Sequence, residues 1–164
     1  VMALLNRYLG KMTDIILHHG GTIDEFLGDA VLAAFGAPSV SADHATKAVN
    51  CAIQMQEAMA EINAENIADG LPVIEMAIAL NTGEVVAGNI GSERRSKYGF
   101  VGHQVNLTSR IEDDARPHEI LISEQTYQAL NGDQFVAGKS RTIKAKGIEE
   151  LLTVYPIVGS SSNA

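Results

Sequence analysis

Only two residues, Gly28 and Asp29, separate two apolar runs in the first quarter of the chain. The first run covers residues 23–27 and the second covers residues 30–35. Apolar runs of this length are typical of β-strands, and a two-residue connection that contains glycine is typical of a tight hairpin. The sequence therefore predicts a β-hairpin with an acidic residue at its tip.

Amphipathic helical patterns lie on both sides of this hairpin. Residues 1–19 place apolar side chains on one face at three- and four-residue steps, and the Gly20-Gly21 pair is expected to end this helix. Residues 41–68 repeat the pattern over a longer stretch, with Ser41 as the expected N-cap. No capping residue precedes the first helix, so the sequence is expected to begin inside an element whose preceding strand is missing.

The rest of the chain alternates strands and helices. A second hairpin is expected around Thr82-Gly83, formed by residues 73–81 and 84–90. The later elements are expected to be a short strand at residues 98–101, a helix at 102–114, a strand at 119–123, a short helix at 124–130, and strands near residues 135, 141–144 and 152–158. Helices and hairpins interleaved in this way indicate an α+β domain with an antiparallel or mixed sheet and helices packed on it.

Composition narrows the class of protein. The 164 residues include 20 acidic and 12 basic side chains, a formal net charge of −8 with no basic stripe. This balance argues against binding to nucleic acid or to an anionic membrane surface. No apolar run is long enough to span a bilayer, and no secretion leader is recognisable. The expected location is therefore cytoplasmic, as a free domain or as the cytosolic part of a larger signalling protein.

Length and cysteine usage predict one domain that folds without crosslinks. Its expected extent is residues 1–158, followed by a flexible tail at residues 159–164. Cys51 is the only cysteine and falls on the apolar face of the long helix. It is therefore expected to be a buried structural thiol rather than a reactive one.

Three acidic residues cluster in the first hairpin. Asp24 and Glu25 lie in its first strand, and Asp29 lies at its tip. Asp29 can be ordinary turn chemistry, since aspartate next to glycine suits a tight hairpin turn. It can equally be a ligand of a hard divalent cation such as Mg²⁺, which takes one or two carboxylates and completes its shell with substrate phosphates.

Two further polar groups stand out in the second half of the chain. Asn106 and Arg110 lie four residues apart, which places an amide and a guanidinium on one helix face. Arg110 can be a solvated cation paired with Glu112 or Asp113, or it can serve a site. Lys146, beside Gly147, has the pattern of a solvated basic loop.

Taken in order, these segments resemble the catalytic domain of class III nucleotide cyclases, and the resemblance covers essentially the whole chain. The matching blocks are TIDEFLGDA at residues 22–30, NTGEVVAGNIG at 81–91, YGFVG at 98–102, VNLTSRIE at 105–112 and Lys146-Gly147. The resemblance implies a ferredoxin-like α+β fold and a homodimer whose two active sites each use residues from both chains.

The family reaction is attack of the ribose 3′-hydroxyl on the α-phosphate of a nucleoside triphosphate, which releases pyrophosphate. The resemblance implies that two divalent cations, Mg²⁺ or Mn²⁺, assist this attack. It assigns Asp29 to a metal ion, Asn106 to the ribose, Arg110 to charge developing on the α-phosphate, and Lys146 to the outer phosphates. Asp29 of one chain is expected to act with the other three residues of its partner.

The resemblance also points to the base. Glu25 occupies a position that is typically lysine in adenylyl cyclases and glutamate in guanylyl cyclases. A carboxylate accepts hydrogen bonds from the N1–H and exocyclic amine of guanine, whereas N1 of adenine is itself an acceptor. Gly99 occupies the partner position and offers no side chain to accept the adenine amine. The expected substrate is therefore GTP, as in bacterial guanylyl cyclases.

The chain departs from the family pattern in two places. The family's first metal-binding aspartate, expected in a strand before the first helix, is not in the sequence. Ala77 stands where many relatives carry a phosphate-binding arginine. Phosphate contacts then differ from those of the family, or come from Arg94, Arg95 or the missing segment. Two alternatives therefore remain: an adenylyl cyclase that makes cyclic AMP from ATP, and a catalytically inactive module for nucleotide sensing or dimerisation.

Overall fold

The structure, a computed structural model, describes residues 2–92, 95–130, 135–144 and 150–160. Its helices are α1 (Met2–His18), α2 (His44–Ala68), α3 (His103–Asp114) and α4 (Glu124–Ala129). Its strands are β1 (Thr22–Leu27), β2 (Ala30–Ala34), β3 (Ile78–Leu80), β4 (Val86–Ser92), β5 (Arg95–Val101), β6 (Ile120–Ser123), β7 (Phe135–Ala137), β8 (Arg141–Lys144) and β9 (Leu151–Ser160).

These elements form two compact units. The first contains residues 1–76 and 87–99, and the second contains residues 77–86 and 100–164. None of the helices among the described residues is both long enough and apolar enough to cross a membrane.

The first unit contains the two long helices and the β1–β2 hairpin. The predicted apolar face of α1 is buried at Met12, Ile15 and Ile16. The helix ends as predicted, since Gly20 adopts a positive φ of 83° and its N–H donates to the Leu17 carbonyl. A buried face made mostly of small residues lets α2 pack closely; its buried residues are Ala45, Ala48, Val49, Cys51, Ala52, Ala58, Met59, Ile62 and Asn66.

Cys51 is buried on α2, as predicted. Burial raises the pKa of its thiol to about 12, because the thiolate would lose its hydration. The side chain therefore serves packing, and its Sγ lies 3.7 Å from the Met55 sulfur.

The start of α2 differs from the prediction. The helix begins at His44 with Asp43 as N-cap, so Ser41 is not the cap. The Ser41 hydroxyl instead donates to the Asp43 carboxylate at 2.6 Å, which lowers the pKa of that carboxyl.

The second unit is built on a mixed sheet. Strand order is β3-β6-β9-β7, with β8 also paired to β9. The β3–β6 pair is parallel, and the β6–β9, β7–β9 and β8–β9 pairs are antiparallel. Its core includes Ile111 of α3 together with Leu121, Ile143 and Val154 of the sheet. Helices packed on a mixed sheet confirm the predicted α+β class.

The predicted hairpin of residues 73–81 and 84–90 is wrong. β3 covers only Ile78–Leu80 and pairs with β6, while β4 pairs with β5. The turn signal at Thr82-Gly83 marks where β3 ends, but it does not connect two strands of one ladder. A parallel partner about 40 residues away cannot be recognised from local turn chemistry.

At the end of the chain, β9 continues to Ser160, and Gly159 pairs with Val136 of β7. Residues 161–164 lie outside the described residues. The boundary at residue 158 stays a prediction.

Candidate active site

Asp29 occupies the tip of the β1–β2 hairpin. Leu27 and Ala30 form the last pair of the ladder, which leaves Gly28 and Asp29 as a two-residue loop. Gly28 has a positive φ of 65°, as the first central residue of a type II′ turn requires. The tight turn leaves Asp29 exposed to solvent, so its carboxylate is accessible to a ligand.

Glu25 lies in β1, and the strand is irregular just before it. The ladder pairs Ile23 with Ala33 and Glu25 with Leu32, so Asp24 has no residue opposite it. An extra residue of this kind is a β-bulge, a device that turns side chains and is frequent near functional sites. One oxygen of Asp24, Oδ1, is buried without a hydrogen-bond partner among the described residues. Glu25 itself is half-buried.

Gly99 lies in β5 and is buried, and the Phe100 side chain that follows is buried as well. This glycine therefore contributes backbone at a position inside the protein. It cannot contribute a side-chain hydrogen-bond acceptor.

Asn106 and Arg110 lie on the exposed side of α3. Leu107 and Ile111, each one residue further along, are buried and anchor the opposite side of the helix. One helical turn separates the amide from the guanidinium, so both groups are presented on the same face. The amphipathic pattern of α3 thus places the two candidate groups together.

The guanidinium of Arg110 is accessible. Its side chain is 44% exposed, and Nη1 lies 3.9 Å from Asp113 Oδ2. That distance is too long for a hydrogen bond, and an exposed pair at this separation contributes little free energy. The predicted alternative, a solvated ion pair with Asp113, therefore leaves the cation available to an anionic ligand.

The candidate residues fall into separate groups. Glu25 and Asp29 share the β1–β2 hairpin, Gly99 lies in the β4–β5 pair, and Asn106 and Arg110 share α3. Lys146 and Gly147 lie outside the described residues.

Two cavities accompany these groups, one in each unit. A cavity of about 300 Å³ lies in the first unit between Thr22, the loop at 35–41 and Lys47. A cavity of about 350 Å³ lies in the second unit beside Leu107 and Ile111 of α3. Neither of these two cavities is lined by Glu25, Asp29, Asn106 or Arg110.

Several features of the site were not predicted. The buried oxygen of Asp24 and the two hydrogen bonds from Asn81 to Gln104 of α3 depend on tertiary placement. The Asn81-Thr82-Gly83 sequence gives a turn signal only, and nothing local to it points to a helix more than 20 residues away. Gly83 was expected to serve a backbone turn, yet a Cβ atom there would lie 2.4 Å from Gln104 Cγ.

Comparison with known proteins decides the family. The sequence model of one protein family, the adenylate and guanylate cyclase catalytic domain, matches residues 1–159. The chain belongs to this family. The resemblance of the five sequence blocks to class III cyclases is thereby confirmed.

Solved structures of the family share the fold. The guanylyl cyclase Cya2 is 48% identical with a TM-score of 0.92, over 97% of this chain and 80% of that one. The adenylyl cyclase CyaB from P. aeruginosa is 36% identical with a TM-score of 0.86, over 97% of this chain and 82% of that one.

A curated relative is the adenylate cyclase 1 of Rhizobium meliloti, 31% identical over 160 residues. The match covers 97% of this cyclase domain and 24% of the relative's length. Both guanylyl and adenylyl cyclases therefore stand among its relatives, and the family alone does not fix the base.

Proposed function

We propose that this cyclase domain acts as a homodimeric guanylyl cyclase that converts GTP to 3′,5′-cyclic GMP and pyrophosphate. The observation that carries the proposal is the exposed pair on α3, where Asn106 and Arg110 lie one turn apart above a buried face. In the reaction, the 3′-oxygen forms a bond to the α-phosphorus. The bond from that phosphorus to the bridging oxygen breaks, pyrophosphate leaves with the electron pair, and the hydroxyl proton passes to solvent.

The residues of α3 suit the negative charge and geometry of this step. Arg110 offers a planar donor to the oxygens of the α-phosphate, on which charge develops as the new bond forms. Asn106, with both a donor and an acceptor, is suited to hold the ribose so that its 3′-oxygen is in line with the leaving group. Lys146 is proposed to meet the outer phosphates as a point charge.

The acidic hairpin suits divalent cations. Asp29 offers an exposed carboxylate, and Asp24 on the first strand of the same hairpin has a buried oxygen without a partner among the described residues. No group of three His, Cys, Asp or Glu side chains converges in the described part of the chain. One or two carboxylates fit Mg²⁺ or Mn²⁺ whose remaining ligands are water and triphosphate. Cations held by Asp29 would lower the pKa of the attacking hydroxyl and neutralise charge on the leaving phosphates.

A dimer is supported by what the hairpin exposes. Phe26 and Leu27, immediately before the Gly28-Asp29 turn, are 50% and 52% exposed. Large apolar side chains exposed beside Asp29 are suited to burial against another protein surface. We propose that a second copy of this chain covers them and brings its own α3 to the Asp29 of the first.

Guanine preference rests on Glu25 and Gly99. The carboxylate of Glu25 can accept from two guanine donors at once, whereas adenine N1 would face it with a lone pair. The glycine at 99 has no side chain to accept the adenine amine. The alternative, an adenylyl cyclase, is favoured by the adenylate cyclases among the relatives. The second alternative, an inactive module, is favoured by Ala77 in place of the family's arginine.

Product identity tests the proposal. The protein, purified at its full natural length, is incubated with Mn²⁺ and either GTP or ATP, and the product is identified by mass spectrometry. Cyclic GMP is expected to form faster than cyclic AMP. Faster cyclic AMP formation favours the adenylyl alternative, and no cyclic nucleotide from either substrate favours the inactive module.

A matched pair of variants assigns the activity to α3. Arg110→Ala is expected to lower turnover by ~10² to 10³, by analogy with the removal of one transition-state charge stabiliser. Arg116→Ala removes an exposed cation just beyond the same helix and is expected to leave turnover unchanged. Equal activity of the two variants contradicts the role of Arg110.

A further inference from the structure

The end of β3 is tied to the first turn of α3 by one side chain. Asn81 Nδ2 donates to the backbone carbonyl of Gln104 and to its Oε1, each at 3.0 Å. The amide group has two N–H bonds, so it can serve both acceptors at once. Thr108 Oγ1 also donates to the Gln104 carbonyl, at 2.8 Å. Gln104 is thus the attachment point between the strand end and the helix.

Gly83 completes this attachment by close contact. A Cβ atom at residue 83 would lie 2.4 Å from Gln104 Cγ and 2.5 Å from Cδ. The Gln104 side chain therefore occupies the space that any other residue at 83 would fill. Asn81 holds Gln104 by hydrogen bonds, and Gly83 makes room for it.

The strand end that carries Asn81 is itself fixed. Thr82 Oγ1 and Thr126 Oγ1 share a hydrogen bond of 2.7 Å. Thr126 is only 1% exposed, and its backbone N–H donates to the hydroxyl of Ser123, the N-cap of α4. A buried hydroxyl network of this kind gives the strand end one conformation. The attachment of α3 therefore has a rigid base.

This attachment bears on the two groups proposed to meet substrate. Gln104 precedes Asn106 by two residues and Arg110 by six on the same helix. A helix moves as a rigid rod over such a length, so the orientation of its first turn sets where both side chains point. A misplacement of about 1 Å by a change remote from the chemistry can lower a rate by ~10².

We propose that Asn81 and Gln104 are positioning residues for nucleotide cyclisation. Asn81 fixes the rotation of α3 through Gln104 and thereby aims Asn106 and Arg110 at the triphosphate. The proposal rests on the proposed function, since it concerns the same helix. It assigns Asn81 no contact with substrate.

Asn81→Asp tests this directly, because the variant keeps the shape of the side chain and removes its donors. A carboxylate then faces two oxygens of Gln104. Asn63→Asp is the matched control: Asn63 Nδ2 donates to the Ile74 carbonyl at 2.9 Å, and Oδ1 accepts from the Ile74 N–H at 2.8 Å. The control is the same chemical change in the first unit: it removes the hydrogen bond donated to the Ile74 carbonyl and keeps the one accepted from the Ile74 N–H.

The expected result is a split between kcat and stability. Asn81→Asp is expected to lower kcat for GTP by about 10² with KM changed by no more than about threefold, because binding contacts remain while alignment is lost. Both variants are expected to lower the melting temperature, but Asn63→Asp is expected to keep the kcat of the parent chain. Equal kcat of the two variants at 25 °C overturns the proposal.

Substitutions at Gln104 and Gly83 keep the proposal testable if the Asn81→Asp chain does not fold. Gln104→Met keeps the side-chain length, removes the side-chain amide with its Oε1 acceptor, and leaves the hydrogen bond from Asn81 to the carbonyl of residue 104, so a smaller loss of kcat is expected. Gly83→Ala pushes the Gln104 side chain, and its effect should disappear in the Gln104→Ala background because both changes act on one contact. Independent, additive effects of the two changes contradict the proposal.

Hydrogen exchange separates this proposal from the proposed function. The backbone amides of residues 103–114 are expected to exchange faster in Asn81→Asp than in the parent chain. In Asn63→Asp their exchange rates are expected to equal those of the parent. An inactive parent chain overturns the proposed function, whereas the exchange rates still report whether Asn81 fixes α3. Unchanged exchange in Asn81→Asp overturns the positioning role even in an active enzyme.

Discussion

In its proposed role, the half-buried carboxylate of Glu25 would discriminate between purines. Its two oxygens match two adjacent hydrogen-bond donors of guanine. Hydrogen bonds to an ionised carboxylate are stronger than hydrogen bonds between two neutral groups. Adenine in the same place would leave the carboxylate facing an acceptor. Discrimination of this type comes from the penalty of an unpaired polar group as much as from the contacts to the preferred base.

We predict that Glu25→Lys combined with Gly99→Thr shifts preference from GTP toward ATP. The lysine donates to adenine N1, and the threonine hydroxyl accepts from the exocyclic amine. The ratio of kcat/KM for the two substrates is the quantity to measure. Glu57→Lys, at an exposed position of α2, makes the same charge change as a control and should leave the ratio as it is. An unchanged ratio in the double variant would remove Glu25 and Gly99 from base selection.

At the scale of single elements, the far end of α3 is fixed by an ion-pair network. Arg141 of β8 donates to both carboxylate oxygens of Glu119, at 2.7 and 2.9 Å. It also donates to the carbonyl of Asp114, the last residue of α3, at 2.9 Å. The Arg141 hydrogen bonds lower the pKa of Glu119, whose side chain is only 14% exposed. The helix is therefore held at both of its ends by polar contacts.

We predict that Glu119→Gln destabilises the protein by about 1 to 2 kcal/mol at pH 7, since a bidentate charged hydrogen bond is lost. Because the folded-state pKa of Glu119 is lowered, its stabilisation is present above the ordinary carboxyl pKa. It is lost as pH falls through the folded-state value. Urea denaturation should thus show that the difference in free energy of unfolding between the variant and the parent protein shrinks below about pH 4.

A matched control separates this network from general surface charge. Asp43→Asn removes the exposed partner of Lys47, which lies 3.5 Å from the Asp43 carboxylate. It should change the free energy of unfolding less than Glu119→Gln does at neutral pH. If the loss of unfolding free energy in Glu119→Gln stays constant from pH 7 to pH 3, the Glu119 carboxylate does not have this role.

Elements defined by local pattern were predictable from the sequence, and pairings between distant elements were not. The periodicity of α1 and α3 and the two-residue turn at Gly28-Asp29 each act within a few residues, so their positions were predicted correctly. The partner of β3 depends on β6, about 40 residues later, and the predicted hairpin failed for that reason. The start of α2 was missed because Ser41 and Asp43 are both good caps.

The same distinction applies to the candidate site. Asn106 and Arg110 fall on one face of α3 because helix geometry requires it, and the structure shows both exposed. The support for that face from Asn81 and Gly83 is a tertiary contact with no signal in the local sequence. The assignments of Asp29, Glu25, Gly99 and Lys146 to ligands stay predictions.

At the scale of the whole molecule, the proposed sites combine residues of two chains. We predict that Asp29→Asn and Arg110→Ala chains, each nearly inactive alone, regain activity when mixed. In a two-fold dimer of one chain of each kind, one site contains both changes and the other contains neither. An equimolar mixture at exchange equilibrium should then reach about a quarter of the parent activity, since half of the dimers carry one intact site.

Separate homodimers provide the control for this mixture. Asp29→Asn chains mixed with more Asp29→Asn chains, and the same for Arg110→Ala, should stay at their low rates. If the mixture recovers about a quarter of the parent activity, the result supports active sites that are shared between two chains. No recovery, although subunit exchange is demonstrated by native mass spectrometry, means that Asp29 and Arg110 do not act across a dimer.

The ten-residue strand β9 has a consequence for how the protein is made. It pairs with β6, β7 and β8, all of which precede it in the chain. During synthesis, β6, β7 and β8 are all made before the strand that completes their ladders. The α1–α2 pair can assemble early from contacts nearby in the chain, whereas the mixed sheet is completed only once β9 is in place.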